Sequence, residues 1–133
     1  MGCTRMRRPP GCVDHESVNV LFVINDPPYG TERAYNGLRL ANELAKREGN
    51  EVRVFLMADA VGCARRGQKT PNGYYNLERM LGAAVRHGAQ VALCGTCMDA
   101  RGMTEAELVD GACRSSLEGL ADWTLWAEQV ITF

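Results

Sequence analysis

The segment "VNVLFVI", residues 18–24, decides the fold class, because almost every position is apolar and several are β-branched. A strand with one face in water alternates apolar and polar residues, whereas a strand covered on both faces is apolar throughout. Residues 51–57, "EVRVFLM", and residues 90–94, "QVALC", have the same character. The sequence therefore predicts three strands inside a sheet that is covered on both faces.

Helical patterns separate these strands. Thr31 is suited to cap a helix that ends before Gly49. The apolar residues of that helix recur at helical spacing, and they are Ala34, Leu38, Ala41, Leu44 and Ala45. A second helix is predicted over about residues 74–87, because one face is apolar and Gly88 follows it. Strand, helix and strand in this order indicate βαβ units.

The C-terminal third continues the alternation. Thr104 with Glu107, and Ser115 with Glu118, have the spacing of capping boxes and predict two helix starts. Residues 129–133, "QVITF", predict a fourth strand, and residues 108–113 a short extended segment. The helix that starts near Ser115 is expected to direct four residues toward the core, namely Leu117, Leu120, Ala121 and Thr124. The whole pattern predicts a three-layer α/β/α domain with a parallel sheet of four to five strands.

Composition excludes several classes of protein. The chain has 133 residues, which suits one domain, and its net charge of -1 gives no electrostatic basis for binding nucleic acid. No apolar run approaches the roughly 20 residues of a membrane span. The six cysteines are too dilute for a disulfide scaffold, so reduced thiols and a cytoplasmic location are expected. Residues 1–17 lack apolar periodicity and are predicted to be a flexible leader, with Cys3 and Cys12 as bystanders, before a single domain at 18–133.

Three segments that follow strands are candidates for the functional site, because parallel sheets bind ligands beyond the carboxyl ends of their strands. They are "NDPPYGTE" (25–32), "ADAVGCARRGQKTPNGYY" (58–75) and "GTCMDARGM" (95–103). Cys63, Cys94 and Cys97 lie in or beside these segments. We therefore expect Cys63 and Cys97 to face a common cleft, within one subunit or across an interface.

The C-x-x-C pair admits three interpretations. Cys94 ends an apolar strand and is expected to be part-buried, whereas Cys97 is expected in a polar loop where Arg101 could stabilise its thiolate. A thiolate at Cys97 could carry sulfur as a persulfide without metal or cofactor. The two cysteines could instead form a redox couple, or the protein could be a binding module whose thiols are incidental or hold a metal. Zinc commonly needs four Cys or His ligands, so it would have to recruit Cys63 or a neighbouring subunit.

Several neighbouring residues carry two interpretations. Arg65, Arg66 and Lys69 are either a solvated loop or a docking patch for an anion or a partner beside the thiols. Cys113 is expected to be a small buried hydrophobe, and the same interpretation is the alternative to a place for Cys63 in the site. Because the charge is balanced and Trp123 and Trp126 lie three residues apart on a terminal helix, we predict self-association through apolar surface.

Four stretches together resemble the DsrE-like family of small sulfur-relay proteins, which includes the TusD-type subunits. They are "NDPPYGTERAYNGLRLA" (25–41), "FLMADAVGCARRGQKTPNGYYNLERML" (55–81), "CGTCMDARG" (94–102) and "LADWTLWAEQVITF" (120–133). The resemblance implies a flavodoxin-like fold, trimers or hexamers, and a sulfur carrier or sulfurtransferase subunit that exchanges persulfide sulfur with donor and acceptor proteins. It places the relay cysteine at Cys97, and Cys94 matches a first cysteine that only some members have.

Overall fold

A computed structural model of the protein describes residues 17–133, so the predicted leader, apart from Ser17, lies outside the described residues together with Cys3 and Cys12. The strands are β1 (Asn19–Ile24), β2 (Glu51–Leu56), β3 (Gln90–Cys94), β4 (Ala112–Ser115) and β5 (Gln129–Thr132). The α-helices are α1 (Arg33–Lys46), α2 (Leu77–Arg86), α3 (Gly95–Ala100) and α4 (Leu117–Trp126), and 3₁₀ turns occupy Ala58–Ala64 and Glu105–Glu107. None of these helices combines the length and the apolarity needed to cross a lipid bilayer.

The five strands form one parallel sheet in the order β4-β3-β2-β1-β5. Each apolar segment predicted as a strand is present, and the predicted three-layer α/β/α fold is confirmed. The extended segment predicted at residues 108–113 lies further along the chain, because β4 pairs with β3 only from Ala112 onward. Since every strand runs in the same direction, the segments after β1, β2 and β3 all lie at one edge of the sheet.

The two faces of the sheet are covered unequally. The larger core lies on the face that α1 and α2 cover, and it includes Phe22, Val54 and Leu93 from the central strands. The opposite face has a smaller core, whose buried residues are Leu21, Phe55, Ala92 and Cys94. Helix α4 covers this second face with partly buried residues, namely Leu120, Trp123, Trp126 and Ala127. The second face is therefore thinly covered.

The predicted inward face of α4 is wrong for three of its four residues, since only Leu120 packs against the smaller core. Leu117 is 72% exposed, and Ala121 and Thr124 are exposed as well. The helix begins one residue later than predicted, because Ser116 rather than Ser115 caps it and accepts a hydrogen bond from the Gly119 N–H at 3.2 Å. The helix is apolar on several sides, so the sequence pattern allowed more than one inward face. In the structure Trp123 and Trp126 pack against the smaller core.

The capping box at Thr104 is present, but it starts a single 3₁₀ turn and not the predicted helix. The chain becomes extended again at Leu108, and the Val109 N–H donates to the carbonyl oxygen of Ala64 at 2.9 Å. Leu108 and Val109 are both buried in the larger core. Because these two side chains are buried, the chain leaves the 3₁₀ conformation before a second turn of helix can form.

Asn76 determines where α2 begins, three residues after the predicted start. Its side-chain oxygen accepts from the Arg79 N–H at 3.1 Å, which is a helix N-cap. Its side-chain nitrogen donates to the Gln68 carbonyl at 3.1 Å and to the Thr70 hydroxyl at 3.3 Å. Asn76 is the buried polar residue of the described chain, with 4% of its surface exposed, so these contacts hold the preceding loop against the helix.

Asn76→Ala is expected to lower the free energy of unfolding by about 1–2 kcal/mol, because it removes the N-cap and two hydrogen bonds of a buried amide. Urea denaturation followed by circular dichroism measures this change. Asn76→Asp keeps the capping oxygen but buries a carboxylate oxygen against the Gln68 carbonyl, so it should not restore stability. An alanine variant within about 0.5 kcal/mol of the original protein would contradict this role for the cap.

Candidate functional site

The C-x-x-C pair lies where β3 passes directly into α3. Cys94 is the N-cap of α3, and its sulfur accepts a hydrogen bond from the Cys97 N–H at 3.4 Å. Cys97 therefore lies in the first turn of a helix and not in the predicted loop. Gly95 has a low helix propensity and cysteine is not among the preferred capping residues, so the sequence carried little signal for this short helix.

The two thiols differ in exposure. Cys94 is buried, with 8% of its surface exposed, and belongs to the smaller core. Cys97 is half-buried and packs against both cores, at the end of the sheet where they approach each other. The Cys97 main-chain N–H donates to the Cys94 sulfur, which brings the two cysteines into contact. Of the pair, Cys97 is the one that a reaction partner reaches more easily.

Arg101 lies beside Cys97, as predicted, but a carboxylate shares its charge. The guanidinium donates to one carboxylate oxygen of Asp59 at 3.0 and 2.8 Å, and to the carbonyl oxygen of Cys97 at 3.1 Å. These bonds connect α3 to the 3₁₀ turn that follows β2. Arg101 thus holds α3 to the turn after β2, and its hydrogen bond to Cys97 is to the main-chain carbonyl oxygen.

The environment raises the pKa of the Cys97 thiol, whereas the sequence predicted a lowered pKa. Partial burial is the largest cause, and the hydrogen bond to the Cys94 thiol adds to it. The backbone N–H of Ala58 and the charge of Arg101 act in the opposite direction, with the smaller effect. Because burial outweighs the effect of Arg101, the thiol of Cys97 is mostly protonated near neutral pH.

A second ion pair holds α3 on its other side. Arg114 of β4 donates through both terminal nitrogens to the two carboxylate oxygens of Asp99, at 2.7 and 2.8 Å. This pairing lowers the pKa of Asp99. An added Cβ at Gly95 would lie 2.8 Å from both the Arg114 side chain and the Ser115 carbonyl, so glycine permits β4 to pass this close. No sequence pattern indicates this contact, since Asp99 and Arg114 lie 15 positions apart in the chain.

Cys63 does not share an open cleft with Cys97, contrary to the prediction. It follows β2 at the same edge of the sheet, but the 3₁₀ turn directs its side chain into the larger core, where it is fully buried. Burial raises the pKa of Cys63 to about 12. Cys63 is therefore placed as a core residue.

The arginines after Cys63 are paired with carboxylates. Arg65 lies 3.7 Å from a carboxylate oxygen of Glu107, and Arg66 lies 2.7 Å from one of Asp110. These pairs join residues 65–66 to residues 107–110, while Lys69 is exposed nearby. The contacts favour a structural role over the alternative of a docking patch for an anion or a partner, because a carboxylate compensates the charge of each arginine.

Cys113 is exposed and not buried as predicted, because β4 is an edge strand. Its sulfur lies 3.7 Å from the Val91 carbonyl oxygen. Within residues 17–133, no group of three or more His, Cys, Asp and Glu side chains is arranged to hold a metal ion. Among the described cysteines, Cys94 and Cys97 are therefore the candidates for a functional site.

Burial of Cys63 predicts a loss of stability at alkaline pH. Its thiol has a pKa of about 12 in the folded protein against 9.0 for an ordinary thiol, so the unfolded chain releases the proton first as pH rises. Above pH 9.0 the free energy of unfolding should fall by up to about 1.4 kcal/mol per pH unit from this residue. Urea denaturation at a series of pH values measures the slope.

Cys63→Ala should remove this contribution to the slope, whereas Cys113→Ala, at an exposed thiol, should leave the slope unchanged. A small cavity in the first variant shifts stability at every pH alike and does not alter the comparison. Equal slopes in the two variants would contradict the prediction.

Comparison with known proteins agrees with this geometry. The sequence profile of the DsrE/DsrF-like family matches residues 18–133. Protein YchN of Escherichia coli is 44% identical over 115 residues, which cover 86% of this chain and 97% of YchN. An uncharacterized protein of Methanopyrus kandleri is 37% identical over 119 residues, which cover 89% of this chain and 97% of that protein.

The fold is also found in solved structures. The crystal structure of YchN from E. coli matches with a TM-score of 0.81 and 42% identity, over 90% of this chain and 100% of that one. A protein of unknown function from Methanobacterium thermoautotrophicum has a TM-score of 0.68 at 19% identity, over 88% of this chain and 100% of that one, and shows similarity of fold alone. The family match, the sequence identity to YchN and the shared fold confirm the resemblance, and the chain belongs to the DsrE/DsrF-like family.

Proposed function

We propose that this protein carries sulfur as a persulfide on Cys97, as a sulfur carrier or as a subunit of a sulfurtransferase. The observation that supports this most is the half-buried thiol of Cys97 at the carboxyl edge of the sheet, in contact with the buried thiol of Cys94. Membership of a family to which sulfur-relay proteins belong supports the same function. The partners in this proposal are a donor protein that bears a persulfide and an acceptor protein that offers a thiol.

Loading is a displacement at sulfur. The Cys97 thiolate attacks the outer sulfur of a donor persulfide, the sulfur–sulfur bond of the donor breaks, and the donor thiolate leaves with the electron pair. Cys97 then bears the transferred sulfur, and the overall reaction requires no external oxidant or reductant. Because burial raises the pKa of Cys97, the loading rate is expected to increase with pH above neutrality.

The contact between the two thiols favours a second function, in which Cys94 resolves the persulfide. The Cys94 thiolate would attack the inner sulfur on Cys97, form the Cys94–Cys97 disulfide and release hydrosulfide with the electron pair. In this step the two cysteines are oxidised and the carried sulfur is reduced. The same pair without a persulfide would be a thiol–disulfide oxidoreductase.

Cys97→Ser should abolish the uptake of one sulfur atom, because a serine hydroxyl forms no persulfide. Cys94→Ser should retain loading, and the loaded state should last longer if Cys94 resolves it. Cys113→Ser is the matched control, since its thiol is exposed and lies on the edge strand β4. Intact mass and cysteine mapping after exposure to a persulfide donor measure all three variants.

The rival functions give different patterns in the same variants. A redox couple requires that Cys94→Ser and Cys97→Ser both remove a reversible disulfide and the activity that depends on it. A structural metal site requires that either change release a bound metal and lower stability. Full loading of Cys97→Ser would contradict persulfide transfer on this residue.

Self-association is part of the proposal, because α4 and β5 present apolar side chains to solvent. Leu117 is 72%, Leu125 is 87% and Val130 is 47% exposed. Beside them the guanidinium of Arg53 lies over the Trp126 ring, with its central carbon 3.8 Å from the ring centre. An apolar helix that covers a sheet so thinly is typical of a surface that pairs with another subunit.

Leu125→Asp is expected to shift the protein toward smaller species in sedimentation velocity experiments at micromolar concentration, because a carboxylate would have to be buried in the interface. Leu40→Asp is the matched control, since Leu40 is a 37% exposed leucine on α1. A monomeric original protein under these conditions would contradict self-association, as would equal behaviour of the two variants.

A further inference from the structure

Arg53 is a half-buried cation of β2 that has no polar partner in the described chain. Its Nε atom is buried from solvent and forms no hydrogen bond. The ion pairs within residues 17–133 engage other arginines, namely Arg33, Arg47, Arg65, Arg66, Arg101 and Arg114. Charged groups that lose water in a folded protein are ordinarily paired. Among the described residues, Arg53 therefore lacks the carboxylate that a guanidinium in this position ordinarily binds.

Two tryptophan rings fix the position of this guanidinium. Its central carbon lies 3.8 Å from the centre of the Trp126 ring and 5.2 Å from that of the Trp123 ring. Because Arg53 belongs to β2 and both tryptophans belong to α4, the stack joins the sheet to the helix. A stacked guanidinium loses little further conformational freedom when it binds a carboxylate. Arg53 is therefore a preorganised cation.

The surface beside this stack is apolar and thinly covered. Helix α4 has no fully buried residue, and Leu125, which precedes Trp126 in the chain, is strongly exposed. Val130 of the neighbouring segment β5 is exposed as well. Exposed apolar side chains that are grouped on one helix and an adjacent strand mark a surface that another chain covers.

The outward side of α4 carries carboxylates that are also unpaired. Glu118 and Asp122 lie one helical turn apart, Leu125 follows at the next turn, and all three are exposed. Neither carboxylate belongs to an ion pair within residues 17–133. The inner side of α4 packs on the sheet through Trp123 and Trp126. The helix thus has an unpaired cation at its inner side and presents unpaired anions at its outer side.

We propose that α4 of a second copy of this chain binds this surface and supplies the carboxylate of Asp122 to the terminal nitrogens of Arg53. In an antiparallel contact of two α4 helices centred on Leu125, Asp122 of one helix lies opposite the C-terminal end of the other. That end is where Trp126 holds Arg53. A two-fold contact forms the pair twice, because Arg53 of each copy meets Asp122 of the other. The two charges are complementary within a single sequence, which favours a second copy over an unrelated acidic protein.

The inference rests on the self-association that is part of the proposed function, and it names the contact that determines how the two surfaces meet. Stacking on Trp126 uses the face of the Arg53 guanidinium, whereas a carboxylate binds its edge, so both contacts can form together. Apolar side chains such as Leu125 exclude water around the pair and strengthen it. The ion pair then fixes the register of the two helices.

Charge reversal tests this contact in the full chain. Arg53→Glu and Asp122→Arg are each expected to weaken self-association about a hundredfold, because a two-fold contact then brings like charges together twice. An equimolar mixture of the two variants is expected to recover the affinity of the original protein, since each variant meets an opposite charge at both pairs. Sedimentation velocity over a concentration series measures the dissociation constants. A mixture that associates no more tightly than either variant alone would overturn the inference.

Glu43→Arg is the matched control, because it changes the net charge equally at an exposed carboxylate of α1. Its dissociation constant is expected to stay within about threefold of the original value. Asp122 is exposed, so Asp122→Arg tests the contact alone if Arg53→Glu, which also loses the stack on Trp126, does not fold. Association of Asp122→Arg that is as tight as that of the control would overturn the inference.

The proposals fail separately in these experiments. A monomeric original protein would reject self-association together with this contact, whereas the uptake of sulfur by Cys97 is measured independently by mass. An original protein that associates, together with a mixture of variants that does not recover, would reject the contact and retain self-association.

Discussion

The alternation of side chains along the central strands is the constraint on which the rest of the structure depends. Neighbouring residues such as Leu21 and Phe22, or Leu93 and Cys94, point into different cores on opposite faces of the sheet. Because of this alternation, the side chain of Cys94, the last residue of β3, points to the face that α4 covers. Cys97 follows one turn later at the junction of the two cores. The place of the thiol pair is thus a consequence of strand register.

The orientation of α3 depends on ion pairs at both of its sides. Arg101 connects it to Asp59 after β2, and Asp99 connects it to Arg114 of β4. These pairs are substantially exposed, and exposed ion pairs contribute little to stability. Their consequence is geometric: a helix of six residues cannot hold its own direction, and two charged contacts fix it relative to the sheet. The same pairing gives Arg101 a carboxylate partner, and Arg101 lowers the pKa of Cys97 by less than burial raises it.

Much of the fold follows from patterns in the sequence, because a parallel sheet requires continuous apolar runs and those runs are long and regular in β1, β2 and β3. The predictions that were wrong concern features that depend on contacts between distant segments. The direction of the Cys63 side chain is set by how a 3₁₀ turn packs on the core, and the exposure of Cys113 by the position of β4 at an edge. The left-handed backbone of Ala58, with a φ of 50°, has no signal in the sequence, since alanine ordinarily favours the right-handed region.

A carrier of sulfur must accept an atom and release it again, and these two steps make opposite demands on the thiol. A thiolate of high basicity attacks sulfur more readily, whereas one of low basicity leaves more readily. At Cys97 partial burial and the Cys94 thiol raise the pKa, while the Ala58 amide and Arg101 lower it. The groups that lower the pKa belong to, or are held by, the turn after β2, and the groups that raise it belong to the junction of β3 and α3. The balance between attack and release therefore depends on how closely these two segments of the sheet edge are held together.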